Sequence, residues 1–207
     1  MSQYARRSAV ITGGSCGIGV AITSRLKADG FRTIVLDIAE PTRDADLFYQ
    51  IDLSDAEATR TLCQEIAQNE PVTCLVNNVG IVRPALLEDL ALEDFDRLMH
   101  VNLRPSILCA QAFLPGMKAL GGGRIVMNTS RVTKGKELRS LYSATKGAAQ
   151  SMARTWALEL GGDGITVNCV APGPIATEAF WRNNPPDALR TASGLAYKVL
   201  VRGDGGG

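Results

Sequence analysis

Ser8-Ala-Val-Ile-Thr12, followed at once by Gly13-Gly-Ser-Cys-Gly17-Ile-Gly19, decides the fold of this 207-residue chain. The first five residues are a short apolar run that reads as a buried strand, and a helical pattern follows from about Ile18 to Ala28. Strand, glycine turn and helix, in that order, are the context that a dinucleotide site requires. Gly13 allows the tight turn, Gly17 lets backbone approach a pyrophosphate, and Gly19 lets helix and strand pack closely. The helix N-terminus offers N–H groups and a positive dipole end to phosphates, which makes Ser15, Cys16 and Ile18 candidate contacts as well.

Outward from the turn, the next apolar run is Arg32-Thr-Ile-Val-Leu-Asp37. Its terminal carboxylate suits the ribose hydroxyls of an adenosine and repels a 2′-phosphate. The turn carries Cys16 where an arginine could have paired with that phosphate. Both features predict NAD rather than NADP. Apolar runs and amphipathic stretches then alternate along the chain. Strands are predicted at 8–12, 32–37, 48–52, 73–77, 124–129 and 165–170, and helices at 18–28, 55–68, 92–119 and 141–160. The fold class is α/β, a Rossmann-type doubly wound parallel sheet of order 3-2-1-4-5-6 in a three-layer α/β/α arrangement.

Near the other end stands Tyr142-Ser-Ala-Thr-Lys146. A tyrosine and a lysine four residues apart in a helix share one face. The ammonium can lower the phenol's pKa from its ordinary ~10, each unit being worth roughly 1.4 kcal/mol. A phenol so poised exchanges protons with an alcohol or carbonyl near neutral pH.

With these motifs in hand, the chain resembles the short-chain dehydrogenase/reductase family from Ser8 to about Glu178, and most nearly its 3-oxoacyl-[acyl-carrier-protein] reductase type. Thr12 to Gly19 matches the family's TGxxxGxG turn, and Asp52 with Leu53 matches its adenine-contacting acid segment. Asn77-Asn-Val-Gly80 matches NNAG with valine for alanine, making Asn78, Val79 and Gly80 cofactor candidates. Asn102, preceded by Val101, together with Ser130, Tyr142 and Lys146 matches the catalytic tetrad. Pro172-Gly173, with Ile175 and Thr177, matches the segment that lies over the nicotinamide.

The resemblance implies roles. Tyr142 is the expected general acid/base, Ser130 the group that steadies the substrate oxygen, and Lys146 the partner of Tyr142 and of the nicotinamide ribose. Asn102 is expected to hold a relay water. The implied activity is an NAD(H)-dependent alcohol dehydrogenase or ketoreductase, with a small-molecule substrate and a homotetramer or homodimer built through 92–119 and 141–160. Trp156, Leu158 and Met152 could supply that contact or an ordinary buried face. Other readings stay open: a non-catalytic NAD-binding sensor or scaffold, a 3-oxoacyl-thioester reductase using NADPH, an epimerase or a dehydratase.

Composition narrows the field. A net charge of +1 and 45% apolar residues suit one domain and give no field for nucleic acid or membranes. The polar N-terminus and the short apolar run behind it predict a cytoplasmic protein. The five cysteines have no metal spacing, although Cys16 at a helix N-terminus could be reactive. One histidine, His100, is too few for a zinc or serine-hydrolase site, so no metal is expected.

The chain departs from the family pattern after Glu178. A single domain spanning 1–207 is expected, with its substrate lid at about 179–197 shortened. Lys198-Val-Leu-Val-Arg-Gly-Asp-Gly-Gly206 resembles the family's seventh strand and its ending. Several tens of residues expected between the two are missing. A mobile lid lost from the sequence as given, a deletion and a natural short form all stay open; the intact flanks favour the first. Finally, the segment 131–139 carries four basic residues. Arg131 or Arg139, with Arg83, is a candidate for recognising an anionic group such as a carboxylate, the alternative being a solvated charged loop.

Overall fold

A computed structural model describes residues 7–41, 45–175, 177, 189–190 and 196–197. Six parallel strands form one sheet: β1 (Ser8–Thr12), β2 (Arg32–Asp37), β3 (Leu47–Gln50), β4 (Val72–Asn77), β5 (Gly123–Asn128) and β6 (Ile165–Val170). Their order is β3-β2-β1-β4-β5-β6, as the alternation of elements predicts. The order reverses between β1 and β4, so the crevice at the C-terminal ends of the strands opens there.

The helices are α1 (Gly17–Ala28), α2 (Ala56–Asn69), α3 (Leu92–Asn102), α4 (Arg104–Ala119) and α5 (Ser140–Leu160). Alternate side chains of each strand point to opposite faces. Val10, Ile34, Leu75, Ile125 and Ile165 join α2, α4 and α5 in one core, around Cys63, Phe113 and Ala149. Ala9, Ile11, Cys74 and Val76 face the other way and meet Ile22 and Leu26 of α1. Both faces of the sheet are therefore apolar, which is why its strands read as continuous runs rather than alternating ones.

The helix expected over 92–119 is two helices. It breaks at Leu103, where φ is −122° and ψ is −52°. Pro105 has no N–H to donate and would crowd the carbonyl four residues back, so a new helix starts with the proline in its first turn. The break places Asn102 at the last position of α3. The seventh strand expected at Lys198 to Gly206 lies outside the described residues. Of the segment expected as a lid, Leu189–Arg190 and Ala196–Tyr197 are described, as a short antiparallel pair β7–β8. No helix among the described residues is long and apolar enough to cross a membrane.

Candidate active site

The turn after β1 works through backbone. Gly13 has φ +65°, and a Cβ there would lie 2.9 Å from Val79 Cα, so both conformation and space demand glycine. At Gly19 a Cβ would fall 2.0 Å from the Gly13 carbonyl oxygen, so the first turn of α1 lies directly against the loop that precedes it. Cys16, at the N-cap position of α1, makes no side-chain cap bond, and the first turn carries no acid. By contrast, Asp55 caps α2 by accepting from the Glu57 and Ala58 N–H groups. The start of α1 thus fits an external anion, the role its phosphate-type turn predicts.

Asp37 closes the turn from the side. Its carboxylate accepts from Ser15 N at 2.9 Å and from Ala39 N at 3.2 Å, and the residue is only 8% exposed. Asp52 accepts from Ser54 N at 2.8 Å, and the Ser54 hydroxyl and amide hold its carboxyl below the usual range. On the opposite side of β1, Asn78 Nδ2 donates to the carbonyls of Thr12 at 3.1 Å and Gly13 at 2.8 Å. Asn128 Nδ2 donates in turn to Asn78 Oδ1 at 2.7 Å, and the Asn128 carbonyl receives Lys146 Nζ at 2.8 Å. One hydrogen-bonded chain therefore runs from the glycine turn to the lysine. Asn128 and Thr12 were not among the sequence candidates. Both bond as polar residues at strand ends; Thr12 opens the TGxxxGxG match, whereas nothing in the spacing points to Asn128.

A cavity of about 760 Å³ follows this chain of contacts. Gly13, Cys16, Gly17, Ile18, Gly19, Asp37, Asp52, Leu53, Asn78, Val79, Gly80 and Val101 line it, as do Tyr142, Lys146, Gly173, Ile175 and Thr177. Of the other predicted cofactor residues, Ser15 lies behind the wall and Pro172 beside it. The Pro172 carbonyl accepts from Arg131 N at 3.1 Å, which ties that segment to the residue after Ser130. Among the substrate candidates only Arg139 lines the cavity. Arg83 pairs with Asp94 at 3.6 Å, and Arg131 lies against Gly173. Lys136, absent from the sequence candidates, also lines the cavity.

The four tetrad candidates converge at one end. The Ser130 hydroxyl, which accepts from Val132 N at 3.3 Å, stands near enough to the Tyr142 oxygen to favour its phenolate. Burial pushes the Tyr142 phenol up, while Ser130 and the Arg139 guanidinium pull it down. Lys146 stands over the Tyr142 ring, 5.7 Å from its centroid, and its ammonium is turned to Asn128. The phenol therefore stands above its ordinary value rather than below it as expected: the pulls of Ser130 and Arg139 do not offset burial, and helical i,i+4 spacing sets the Tyr142 ring, not its hydroxyl, beside the amine. Asn102 is buried below the wall. Its Oδ1 accepts from Ile81 N at 2.8 Å, and its Nδ2 donates to Ile81 O and Thr145 Oγ1. Among the described residues no group of three or more His, Cys, Asp or Glu could hold a metal ion.

Burial pushes the Lys146 ammonium down to about 8. Between that value and the ordinary 10.5, the unfolded chain holds a proton that the folded chain has released. Stability contributed through Lys146 therefore rises with pH across the window, and the burial cost is fully present below it. At ~1.4 kcal/mol per unit, that cost is roughly 3 kcal/mol. Cys74, pushed up to about 11 by burial, and Cys109 act in the opposite sense at alkaline pH. The effect is isolated as a difference between variants. Lys146→Met should gain most over wild type near about pH 7 and lose roughly 3 kcal/mol of that gain by about pH 10.5, as read by urea unfolding. A difference that does not change with pH would show Lys146 to be well solvated.

Comparison with known proteins bears on this site. The family described as short chain dehydrogenase matches residues 7–188. A chloroplastic protein of Arabidopsis thaliana, named an NADPH-dependent aldehyde reductase-like protein, is 35% identical over 212 residues, covering 89% of this chain and 78% of its own. L-xylo-3-hexulose reductase of Hypocrea jecorina is 32% identical over 262 residues, covering 99% of this chain and 86% of its own. That alignment is longer than the 207 residues of this chain, so it opens at least 55 positions of gap here (262 − 207). A solved structure from Beutenbergia cavernae, provisionally described as an NAD(P)-dependent gluconate 5-dehydrogenase with NADP at low occupancy, matches with a TM-score of 0.80. It is 30% identical and the match covers 84% of this chain and 74% of that one.

Proposed function

The chain belongs to the short-chain dehydrogenase family, and from that premise we propose that it interconverts a secondary alcohol and a ketone with Tyr142 as general acid/base. The observation that carries this reading is the placement of Tyr142, near Ser130 and stacked by Lys146, on the cavity whose other end is the α1 turn. When bound, a nicotinamide dinucleotide supplies hydride exchange at its C4. The turn at Gly13–Gly19, the α1 N-terminus and Asp37 would hold its phosphates and adenosine ribose; Val79, Gly80 and Gly173 would flank the remainder.

The chain's own residues handle the proton. Tyr142 gives its phenolic proton to the carbonyl oxygen in reduction and takes one from the hydroxyl in oxidation. Ser130, with its oxygen already accepting from Val132 N, directs its O–H at the same reacting oxygen and offsets the charge that develops there. Lys146, near neutrality by burial, refills Tyr142. Asn102 fixes the Ile81 backbone beside Gly80, next to the Lys146 ammonium. The relatives are named for aldehydes, a hexulose and, provisionally, a sugar acid, which supports polyhydroxylated carbonyl compounds over a 3-oxoacyl thioester.

The preference between dinucleotides is the finer point. The expectation of NAD over NADP draws no support from the relatives, which favour NADP(H). Both oxygens of Asp37 are engaged by backbone amides, so its first task is to hold the turn. A carboxylate there still opposes a 2′-phosphate. Asp37→Ser is therefore expected to raise the ratio of kcat/KM for NADP to that for NAD by about tenfold or more. Dinucleotide absorbance on a panel of sugars, polyols and aldehydes, with both cofactors and both proteins, tests the activity and the preference together. No turnover on any of them with either cofactor would sink the oxidoreductase reading.

The remaining parts of the reading are an assembly through α4 and α5, a cytoplasmic location, and one domain with a shortened lid. Leu158, 87% exposed on α5, supports the first; the net charge of +1 supports the second. The alignment gap supports the third. Sedimentation and an intact mass of the same preparation test assembly and lid; a monomer of 22.0 kDa would refute a dimer and a lid lost from the sequence alike.

A further inference from the structure

We propose that Arg139 and Lys136 form a carboxylate-recognition subsite beside Tyr142, so that the substrates are oxo acids and hydroxy acids. The inference rests on the dehydrogenase reading above and adds the class of substrate. The structure sorts the basic residues of the segment between Ser130 and Tyr142. Arg139 and Lys136 line the cavity; Arg131 and Lys134 do not.

Arg139 is 7% exposed, whereas Leu138 before it is 40% exposed. Transfer from water favours the reverse, since burying leucine is favourable and burying a charged guanidinium is costly. The backbone enforces the inversion. Leu138 adopts φ +61°, the only positive φ outside glycine among the described residues, at a cost of roughly 1–2 kcal/mol for a residue with a Cβ. Its carbonyl is held there by Ala85 N at 3.3 Å and by Arg139 Nη1 at 3.1 Å. Strain retained in the residue next to a cavity wall is a ground for assigning that wall a function.

Charge completes the case. Partial desolvation and the nearby Arg139 both push the Lys136 ammonium down, so the two cations feel each other. The two carboxylates that line the cavity are Asp37, the last residue of β2, and Asp52, which follows β3. Tyr142 stands beyond β5, three strand spacings from β2, or roughly 14 Å. The reacting end thus presents cations and no acid among its described lining residues. A guanidinium fork meets a carboxylate with two parallel bonds, and an ammonium adds a point charge. In the reaction the carbinol C–H gives up hydride and its O–H proton passes to Tyr142. An oxo acid and reduced dinucleotide form, and the carboxylate is unchanged.

The test uses pyruvate, acetoacetate and levulinate, whose carboxylates stand at increasing distance from the ketone, each against its neutral amide. The wild type should prefer at least one acid over its amide by about tenfold or more in kcat/KM. Arg139→Gln should bring that acid-to-amide ratio to within about threefold of unity, Lys136→Gln should lower it by less, and Arg139→Lys should restore part of it. Equal losses on acid and amide would mean that Arg139 merely supports Tyr142 and would overturn the proposal. Calorimetric titration of the dinucleotide complex with the same compounds gives a reading without turnover, and no binding of any acid overturns it too. Acid binding without Tyr142-dependent turnover would instead keep the subsite and defeat the dehydrogenase reading. Lys136 is exposed, so its variant folds even where an Arg139 variant does not.

Discussion

Tyr142→Phe should lose about three orders of magnitude in turnover while dinucleotide affinity stays within about threefold of wild type. The substitution removes one oxygen and leaves the ring that Lys146 covers, so packing on α5 is kept. The loss, roughly 4 kcal/mol of barrier, is the share usual for a positioned acid/base. Affinity should persist because the turn, Asp37 and Asn78 are tied to β1 and β2 and do not involve the phenol. Single-turnover kinetics and dinucleotide fluorescence read the two quantities separately. Unchanged turnover would move the proton step away from Tyr142. Lost affinity would mean that the Tyr142 hydroxyl also helps to hold the dinucleotide.

That prediction was open to reading from sequence alone because its residues lie in short motifs with fixed spacing. So was the sheet order, since six apolar runs separated by helical patterns allow few other topologies. The helix break at Leu103 was less legible; Pro105 signals it only when its missing N–H is set against the run of periodicity around it. Electrostatics at the site was not legible. Nothing in the order of residues says that Leu138 turns left-handed and Arg139 turns inward, because that choice depends on Ala85 N from a distant segment. Nor does spacing reveal that Lys146 points at a main-chain carbonyl, or that Asn128 and Asn78 pass the contact on to Gly13.

Gly19→Ala should cost more than the same change at any other described glycine. The new Cβ would stand 2.0 Å from the Gly13 carbonyl and 2.8 Å from Gly14 Cα, both backbone atoms that no rotamer change can move. Relief requires that α1 shift away from the loop, and the Gly19 N–H bond to the Cys16 carbonyl, now 3.0 Å, would open with it. Overpacking of side chains costs about 1–3 kcal/mol, and a clash between backbones belongs at or beyond the top of that range. A fall of roughly 10 °C in Tm is expected, together with loss of dinucleotide binding, since the N–H groups at the start of α1 would no longer face one point. Gly116→Ala provides the contrast: it lies inside α4, and no described atom stands within 4 Å of its added Cβ. Helix propensity alone then acts, and that variant should gain up to about 1 kcal/mol with binding intact. Normal binding by Gly19→Ala would show that the loop and α1 can separate without cost, and the close approach would lose its place in the function of the turn.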